Sequence, residues 1–190
     1  MPGLSYPIAT QRLLLRPLRA GDGAAVHAYH RLEAVARYQS WTERSADDVA
    51  DRLAEWADLD GTDPEAKALV LGVTLKGSDR IIGDMVLLFT DRAARQAEVG
   101  FTFNPDFHGQ GLGSEAVAAL MRFGFEIYGL HRICGRCDAR NEPSWKLMAR
   151  LGMRREAHFR EHAIFKGRWD EEFHYAVLED EWRLEQGRAD

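Results

Sequence analysis

A strand, a glycine-rich turn and a helix follow one another over residues 96–130, and this order constrains the fold more than any other segment. In QAEVGFTFN, residues 96–104, apolar side chains alternate with small or polar ones such as Glu98 and Thr102, which indicates a strand with one buried face. The turn HGQGLG leads into SEAVAALMRFGFEIYGL, whose apolar residues form one helical stripe and whose first residue, Ser114, is suited to cap the helix. The segment predicts a helix packed on a sheet through a tight turn.

Patterns elsewhere extend this unit into one α/β domain that covers residues 1–190. Helices are predicted after Asp22, from Ser45 and from Asn141 to Gly152, and further strands at 9–18, 68–76, 80–89, 131–139, 153–165 and 169–178. No repeat, low-complexity tract or Pro/Gly/Ser-rich linker divides the chain. We therefore expect a mixed, mainly antiparallel sheet of six to seven strands flanked by about four helices.

Composition and charge argue against several classes of function. A chain of 190 residues that is 45% hydrophobic and 29% charged can bury one substantial core. Its net charge of -5 and pI of about 5.8 favour neither nucleic acid nor an anionic membrane surface as a partner. The N-terminus lacks a secretion signal, and no apolar run approaches the ~20 residues needed to span a bilayer. We expect a cytoplasmic protein; its oligomeric state is left open, a homodimer included.

Two cysteines and two histidines raise the question of a metal or redox site. Cys134 and Cys137 have the spacing of a redox pair or half a zinc site, but no second Cys pair or close Cys/His group completes four zinc ligands. Residues three apart in a strand also face opposite sides, which disfavours a redox pair. His158 and His162 lack the HExxH order of a zinc protease. We expect structural cysteines and no metal.

The glycine-rich turn is suited to an anionic ligand. Glycines at 109, 111 and 113 free backbone N–H groups to point at one place, and the dipole of the following helix adds partial positive charge. Such turns also cap helices for purely structural reasons. Two better-known phosphate loops do not match, because no Lys-Ser/Thr follows and Ser114 occupies the third-glycine position of the dinucleotide fingerprint.

This segment resembles the acyl-CoA pyrophosphate loop of the GCN5-related N-acetyltransferase (GNAT) superfamily. The family loop is usually Gln/Arg-x-x-Gly-x-Gly/Ala, and here it is His108-Gly-Gln-Gly111-Leu-Gly113. His108 departs from the family's Gln or Arg, whereas the backbone part of the loop is unchanged. The resemblance extends from RLLLRPLRAGD through EVGFTFNPDFHGQGLGSEA to NEPSWKLMARLGM, and it is greatest to the branch that contains ribosomal-protein N-terminal alanine acetyltransferases.

The resemblance implies acetyl-CoA as the acyl donor, bound in a V between the GFTF and RICG strands. By resemblance, Asn141 lies near the cofactor, the pantetheine arm pairs with Phe101, Thr102 and Phe103, and the pyrophosphate lies on His108, Gly109, Gln110, Gly111, Leu112, Gly113 and Ser114. The implied activity is transfer of an acetyl group to a primary amine, on a protein N-terminus or a small molecule.

The chemistry requires a neutral amine, donors for an oxyanion and a proton for the departing thiolate. Glu98 is the candidate base because it lies on the polar face of its strand, although it is equally interpreted as a solvated strand-edge carboxylate. Many family members carry a tyrosine seven residues after the asparagine, where this chain has Met148. The ribosomal-protein branch has a serine three residues after the asparagine, and Ser144 matches it, either as the acid or as an ordinary first-turn serine.

The sequence gives only weak indications of which residues bind the acceptor. Asp84 interrupts an apolar strand, and a charge there requires an ionic partner or a substrate amine. Alternatively, Asp84 marks a bend of the strand beside a glycine. Aromatic residues are candidates for an acceptor pocket or for helix packing: Tyr38, Trp41 and Trp56. The loops at 38–45 and 165–169 are the expected selectors. A non-catalytic acyl-CoA-binding or regulatory module is the alternative function, and another acyl donor, such as succinyl-CoA, is not excluded by the loop.

Overall fold

Eight strands form one open sheet in this computed structural model, which describes residues 5–63 and 65–186. The strands are β1 Ile8–Ala9, β2 Leu13–Arg16, β3 Ala68–Leu75, β4 Ile81–Asp91, β5 Gln96–Phe103, β6 Arg132–Asp138, β7 Arg154–Phe165 and β8 Arg168–Leu178. Their order in the sheet is β1-β2-β3-β4-β5-β6-β8-β7. All neighbours are antiparallel except β5 and β6, which are parallel.

Six α-helices accompany the sheet within the described residues. They are α1 Gly23–His30, α2 Glu33–Ala36, α3 Ala46–Trp56, α4 Leu112–Glu126, α5 Glu142–Arg150 and α6 Glu179–Gln186. In the part of the chain that the structure describes, no helix has both the length and the apolar character needed to cross a bilayer.

The predicted fold class is confirmed, with two differences in the number of elements. The strand predicted at 9–18 is a short antiparallel pair, β1 and β2, which gives eight strands instead of six to seven. Two helices are additional to the four predicted ones, the four-residue α2 and the C-terminal α6. Helix α6 is mostly charged, and its anchor is Trp182, whose ring stacks on Phe125 with 5.0 Å between ring centroids. That contact depends on residues far apart in the sequence.

Three helix starts can be compared with the sequence predictions. The helix predicted from Ser45 begins there, and the Ser45 hydroxyl caps α3 by accepting from the backbone N–H of Asp48 at 3.1 Å. The predicted cap at Ser114 is wrong, because α4 begins at Leu112 and its N-cap is Gly111. Asp22 precedes α1 as predicted, but its carboxylate binds the Arg16 guanidinium instead of capping the helix.

The sheet separates two layers of packed side chains. One face packs against α4 and α5 through apolar residues that include Val99, Phe103 and Leu120. The other face packs against α1 and α3 through a smaller cluster that includes Tyr29 and Val70. Alternation along β4 and β5 therefore assigns each side chain to one of these layers, and the small or polar residues of β5 face α1 and α3.

Candidate active site

The edge between β5 and β6 opens into a V near the middle of the sheet. The two strands pair only where Gln96–Glu98 faces Arg132–Cys134. Beyond Glu98, β5 remains paired with β4 as far as Phe103, while β6 pairs with β8 alone. The other edge of residues 99–103 therefore presents backbone N–H and C=O groups without a strand partner. The splay that the sequence predicts between these strands is confirmed.

The glycine-rich turn lies at the open end of the V and starts α4. Gly109 and Gly111 have φ values of 72° and 74°, a left-handed conformation that glycine adopts without steric cost. The first α-helical hydrogen bond runs from the N–H of Glu115 to the carbonyl of Gly111. Three amides precede that bond and lack a partner in the helix, those of residues 112–114. A Cβ on Gly109 would meet nothing within 4 Å, so the turn presents an open surface suited to phosphate.

Two side chains hold this turn in place. The Nε2–H of His108 donates to the carbonyl of Phe103 at 3.1 Å, since that carbonyl can only accept. Arg12 donates through Nη1 to the carbonyl of Gln110 at 2.9 Å and through Nε to Glu115 at 2.6 Å. His108 thus braces the turn against the end of β5. Arg12 is a cation beside the turn that the sequence patterns did not single out.

Glu98 lies at the vertex of the V, because it is the last β5 residue that pairs with β6. Its Oε2 accepts a hydrogen bond from Nε of Arg136 at 2.9 Å, and its side chain is 21% exposed. It is therefore neither a freely solvated carboxylate nor an isolated one. The ion pair lies at the point where the two strands separate.

The start of α5 lies beside the other arm of the V. Asn141 is the N-cap of α5, and its backbone carbonyl accepts from the N–H of Ser144 at 3.1 Å. Burial raises the pKa of the Cys137 thiol on β6 to about 11, although that thiol hydrogen-bonds with the Ser144 side chain. Met148 is buried against Gly135, where an added Cβ would lie 2.7 Å from its sulfur. Met148 therefore offers no proton, and Ser144 is the one hydroxyl residue within α5.

A cavity of about 130 Å³ lies on the α1 and α3 side of β4 and β5. Cross-strand neighbours Asp84 and Thr102, and Val86 and Gly100, place four of its residues on the same sheet face. Its lining comprises, from the helical layer, His30, Gln39, Trp41, Arg44 and Trp56 and, from the sheet, Val70, Asp84, Met85, Val86, Gly100, Phe101 and Thr102. The cavity and the unpaired edge of β5 therefore share residues 100–102.

Two of the three aromatic residues that were candidates for an acceptor pocket line this cavity. Trp41 and Trp56 line the cavity, whereas Tyr38 is half-buried outside it, and its hydroxyl reaches the carbonyl of Arg140 at 3.5 Å. The amide of Gln39 donates to the hydroxyl of Thr102 at 3.4 Å, which joins the loop after α2 to β5.

Asp84 is the buried carboxylate of the cavity, and two side chains of α1 bind it. The hydroxyl of Tyr29 donates to Oδ1 of Asp84 at 2.6 Å, and Nε2 of His30 lies 2.7 Å from the same oxygen. Nη1 of Arg44 lies 3.0 Å from Nδ1 of His30. A guanidinium only donates, so Nδ1 is the acceptor and Nε2 carries the hydrogen that binds Asp84. Burial raises the pKa of Tyr29 well above its ordinary value, which keeps its hydroxyl a donor.

The two loops that the sequence suggested as acceptor selectors meet in the structure. Lys166, at the tip of the β7–β8 hairpin, donates through Nζ to the carbonyls of Ala36 and Trp41, both at 2.7 Å. Both bonds are to backbone atoms, so they fix the position of the loop that follows α2. This loop carries Trp41 and Arg44 into the cavity wall.

The remaining candidate ligands are engaged elsewhere. Cys134 and Cys137 are free thiols, half-buried and buried. His158 and His162 lie on β7 and pair with Glu171 and Asp170 of β8 at 3.0 and 3.1 Å. Within residues 5–63 and 65–186, no group of three or more His, Cys, Asp or Glu side chains is arranged to hold a metal ion.

Sequence patterns missed His30 and Arg44, which complete the cavity. His30 is the last residue of α1 and is 1% exposed, so in the sequence it is indistinguishable from a packing residue. Arg44 is a single arginine in a loop without periodicity. Only the fold brings them to Asp84, which is 54 residues from His30 in the chain.

A mixed sheet whose central parallel strands separate beside a glycine-rich helix start is the architecture of acetyl-CoA-dependent N-acetyltransferases. The family model for the acetyltransferase (GNAT) domain matches residues 12–154. The chain belongs to this family.

Relatives agree with this assignment. The chain is 34% identical over 179 residues to the uncharacterized N-acetyltransferase YnaD of Bacillus subtilis (strain 168), covering 92% of this chain and 98% of YnaD. It is 27% identical over 84 residues to the ribosomal protein uS5-alanine N-acetyltransferase of Escherichia coli (strain K12), covering 44% and 43% of the two chains. The crystal structure of a GNAT-family acetyltransferase from Bacillus anthracis has a TM-score of 0.80 at 30% identity, covering 90% and 98%. The resemblance, the fold and N-acetyltransferase activity are thereby confirmed.

Proposed function

We propose that the protein transfers an acetyl group from acetyl-CoA to the primary amine of a small molecule or a protein N-terminus, by direct attack of the amine on the thioester. One observation carries the proposal. The unpaired edge of β5 leads to the phosphate-suited turn at one end, and residues 100–102 of the same strand line the cavity beneath α1 and α3. A donor on that edge and an acceptor in that cavity would meet at one strand.

The residues of the turn and of β5 fit a CoA thioester. Free amides at residues 112–114 and the start of the fifteen-residue α4 suit the pyrophosphate. Side-chain contacts from His108, Gln110 and Ser114, together with Asn141 at the start of α5, remain predictions. The backbone of Phe101–Phe103 would bind the pantetheine arm, and its N–H groups would stabilise the oxyanion that forms when the amine adds to the carbonyl.

The pKa of the acceptor amine determines how much free energy a catalytic base must supply to make the amine neutral. An α-amine with pKa near 8 is roughly 10% neutral at pH 7, whereas a lysine near 10.4 is neutral to only about 0.04%, a difference of about 3 kcal/mol. We assign Glu98 as the acceptor of the ammonium proton and Ser144 as the donor to the thiolate. The neutral nitrogen forms the new bond to the acetyl carbon, the carbon–sulfur bond breaks, and the thiolate takes the Ser144 proton and leaves as the thiol. Ser144 recovers a proton from the N–H that the new amide nitrogen loses, and Glu98 releases the ammonium proton to solvent.

The experiment is acceptor-dependent thiol release from acetyl-CoA across α-amines, N-terminal peptides and lysine side-chain amines, combined with calorimetric CoA binding. We expect release with α-amines, and Glu98→Gln should lower kcat/KM more for amines of high pKa than for amines of low pKa. Tight CoA binding without acceptor-dependent release would favour the non-catalytic acyl-CoA-binding module. Release from succinyl-CoA at a higher rate than from acetyl-CoA would change the donor and leave the mechanism unaltered.

A further inference from the structure

Arg44 brings a positive charge to the cavity that no carboxylate contact neutralises. Its one side-chain hydrogen bond goes to Nδ1 of His30, a neutral acceptor, and among residues 5–63 and 65–186 it forms no ion pair. Its guanidinium carbon lies 4.2 Å from the ring centroid of Trp41, which covers one face of the cation. Burial and the nearby Arg52 lower the pKa of Arg44 by more than the surrounding carboxylates of Asp84, Asp48 and Glu55 raise it, so its charge is held at a cost in this place. A bound anion would offset that cost.

Asp84 provides a carboxylate, opposite in charge to Arg44, in the same cavity. Both side chains that bind this carboxylate, Tyr29 and His30, do so through Oδ1. Oδ2 therefore has no protein donor within the described ranges, and the Asp84 side chain, 11% exposed, lines the cavity. Because Asp84 faces Thr102 across the β4–β5 pair, a ligand amine at Oδ2 would lie beside β5.

The cavity limits the size of the group it can enclose. Its volume of about 130 Å³ is close to the roughly 150 Å³ of an engineered cavity that binds benzene, a ligand of about six non-hydrogen atoms. That is the size of an α-amino acid with a short side chain. Several residues of a peptide would not fit inside, and the walls of Trp41 and Trp56 suit a compact head group.

We propose that this cavity selects acceptors that carry a carboxylate beside the reactive amine, with Arg44 binding the carboxylate and Asp84 binding the amine. The proposal rests on the acetyl transfer proposed above, and because Glu98 lies four residues before Thr102 on β5, the ammonium proton would reach Glu98 through water. The acceptor class is a free amino acid or a similar small amino-carboxylate. A polyamine would place a second cation near Arg44, and a peptide N-terminus would leave the guanidinium without an anion. Both should therefore be poorer acceptors.

The test compares matched acceptors in matched variants. Glycine, L-alanine and L-serine are each paired with their carboxamide, and kcat/KM is measured for the wild type, for Arg44→Gln and for Arg122→Gln. Arg122 is a suitable control because it is exposed on α4, which packs on the face of the sheet opposite the cavity. The amide pair differs in amine pKa as well as in charge, so the quantity compared is the acid-to-amide ratio in each variant. The change in that ratio between the wild type and a variant cancels the intrinsic reactivity of the amines.

We expect Arg44→Gln to lower kcat/KM for the acids by on the order of tenfold to a hundredfold, with less than about a threefold change for the amides. Arg122→Gln should leave the ratio unchanged, and Arg44→Lys should restore part of the acid preference. Asp84→Asn should lower kcat/KM for acids and amides by the same factor, because both contain the amine. Equal effects of Arg44→Gln on both members of each pair, with thiol release intact, would overturn the proposal.

Binding separates failure of this inference from failure of acetyl transfer. Calorimetric titration of N-acetyl-L-alanine and its amide into the CoA-loaded protein does not require turnover. Binding of the acid that Arg44→Gln abolishes, without thiol release for any amine, would support the carboxylate site and refute the transferase. Thiol release combined with equal, Arg44-independent binding of acid and amide would refute the carboxylate site alone. Thermal unfolding of each variant verifies that it is folded.

Discussion

Nε2 of His30 and Oδ1 of Asp84 lie 2.7 Å apart, joining α1 to the middle of β4 beneath the candidate acceptor cavity. His30 is 1% exposed and its other ring nitrogen accepts from Arg44, so both nitrogens are engaged. The imidazole thereby separates a guanidinium from a carboxylate and holds both at the cavity wall. This arrangement fixes two opposite charges at one site without letting them neutralise each other directly.

Replacing His30 should destabilise the protein more than removing the other donor to Asp84. His30→Leu removes the donor to Oδ1 and the acceptor for Arg44, and hydrogen bonds to charged groups contribute about 1.5–3 kcal/mol each. Tyr29→Phe, the matched control, removes one bond to the same oxygen and keeps the ring. Chemical denaturation should rank the free energy of unfolding as wild type above Tyr29→Phe above His30→Leu. Wild-type stability in His30→Leu would show that the network contributes nothing.

Gly111 should be far more sensitive than His108 for CoA binding. Gly111→Val forces a β-branched residue to φ of 74° at the N-cap of α4 and should abolish binding of CoA measured by calorimetry. His108→Ala removes only the brace to Phe103, which predicts a loss of up to about tenfold in affinity.

Gly129→Val is the control for backbone strain. Gly129 has φ of 60°, follows α4 and would meet nothing within 4 Å. It should lower stability while leaving CoA affinity unchanged. Equal, negligible effects of Gly111→Val and His108→Ala on affinity would mean that the turn is not the phosphate site.

Ser144→Ala should lower kcat only on the order of tenfold. The thiolate of a thiol with pKa near 8.5 is a good enough leaving group to depart without an acid. KM for acetyl-CoA should change little, since the hydroxyl hydrogen-bonds with the Cys137 thiol and holds no backbone group of the turn. Thiol release at saturating acetyl-CoA measures this effect. A variant with the wild-type rate would remove Ser144 from the mechanism.

The Arg16–Asp22 pair predicts an acid-dependent loss of stability. Burial acts to raise the pKa of Asp22, but hydrogen bonds from Arg16 and from the backbone of Arg19 outweigh it and hold the pKa below its ordinary value. The stabilisation is therefore present at neutral pH and is lost as the pH falls through the lowered pKa, below about 4. Asp22→Asn leaves a buried guanidinium unpaired and should cost about 3–5 kcal/mol at pH 7.

The thermal unfolding midpoint of Asp22→Asn, measured from pH 7 to pH 3, should approach that of the wild type as the pH falls. Asp51→Asn, an exposed position on α3, serves as the control and should show no such convergence. A constant difference between Asp22→Asn and the wild type across this pH range would contradict the assignment.

The sheet was predictable from the sequence because its strands carry their own patterns. Alternation in β5 is a local signal, and so are the apolar patterns at 153–165 and 169–178; the strands predicted there form β5, β7 and β8. The cap at Ser114 was mispredicted because glycine at 111, in a left-handed conformation, starts α4 two residues before the expected serine. Side-chain preference alone does not reveal where a glycine turn ends.

The candidate site was predictable only in its backbone part. The glycine spacing and the resemblance identified the turn and the β5 edge, while the roles of Glu98 and Ser144 stay predictions. The Arg44–His30–Asp84 network joins a loop, a helix and a strand, so no spacing in the sequence encodes it. Asp84 did signal that a partner was needed, since a charged residue in an apolar strand requires one.

The proposed mechanism requires that donor and acceptor meet at residues 100–102 of β5. Acetyl-CoA with an isotopically labelled acetyl group, incubated with protein and primary amines, tests it when label on the amine is quantified by mass spectrometry beside released thiol. We expect equal amounts of labelled amine and thiol. Gly100→Val, whose Cβ would lie 2.9 Å from Cγ1 of Val86, should lose transfer and keep CoA binding, whereas Gly21→Val, at an open position, should keep both. CoA binding without label on any amine, or full transfer by Gly100→Val, would contradict the claim.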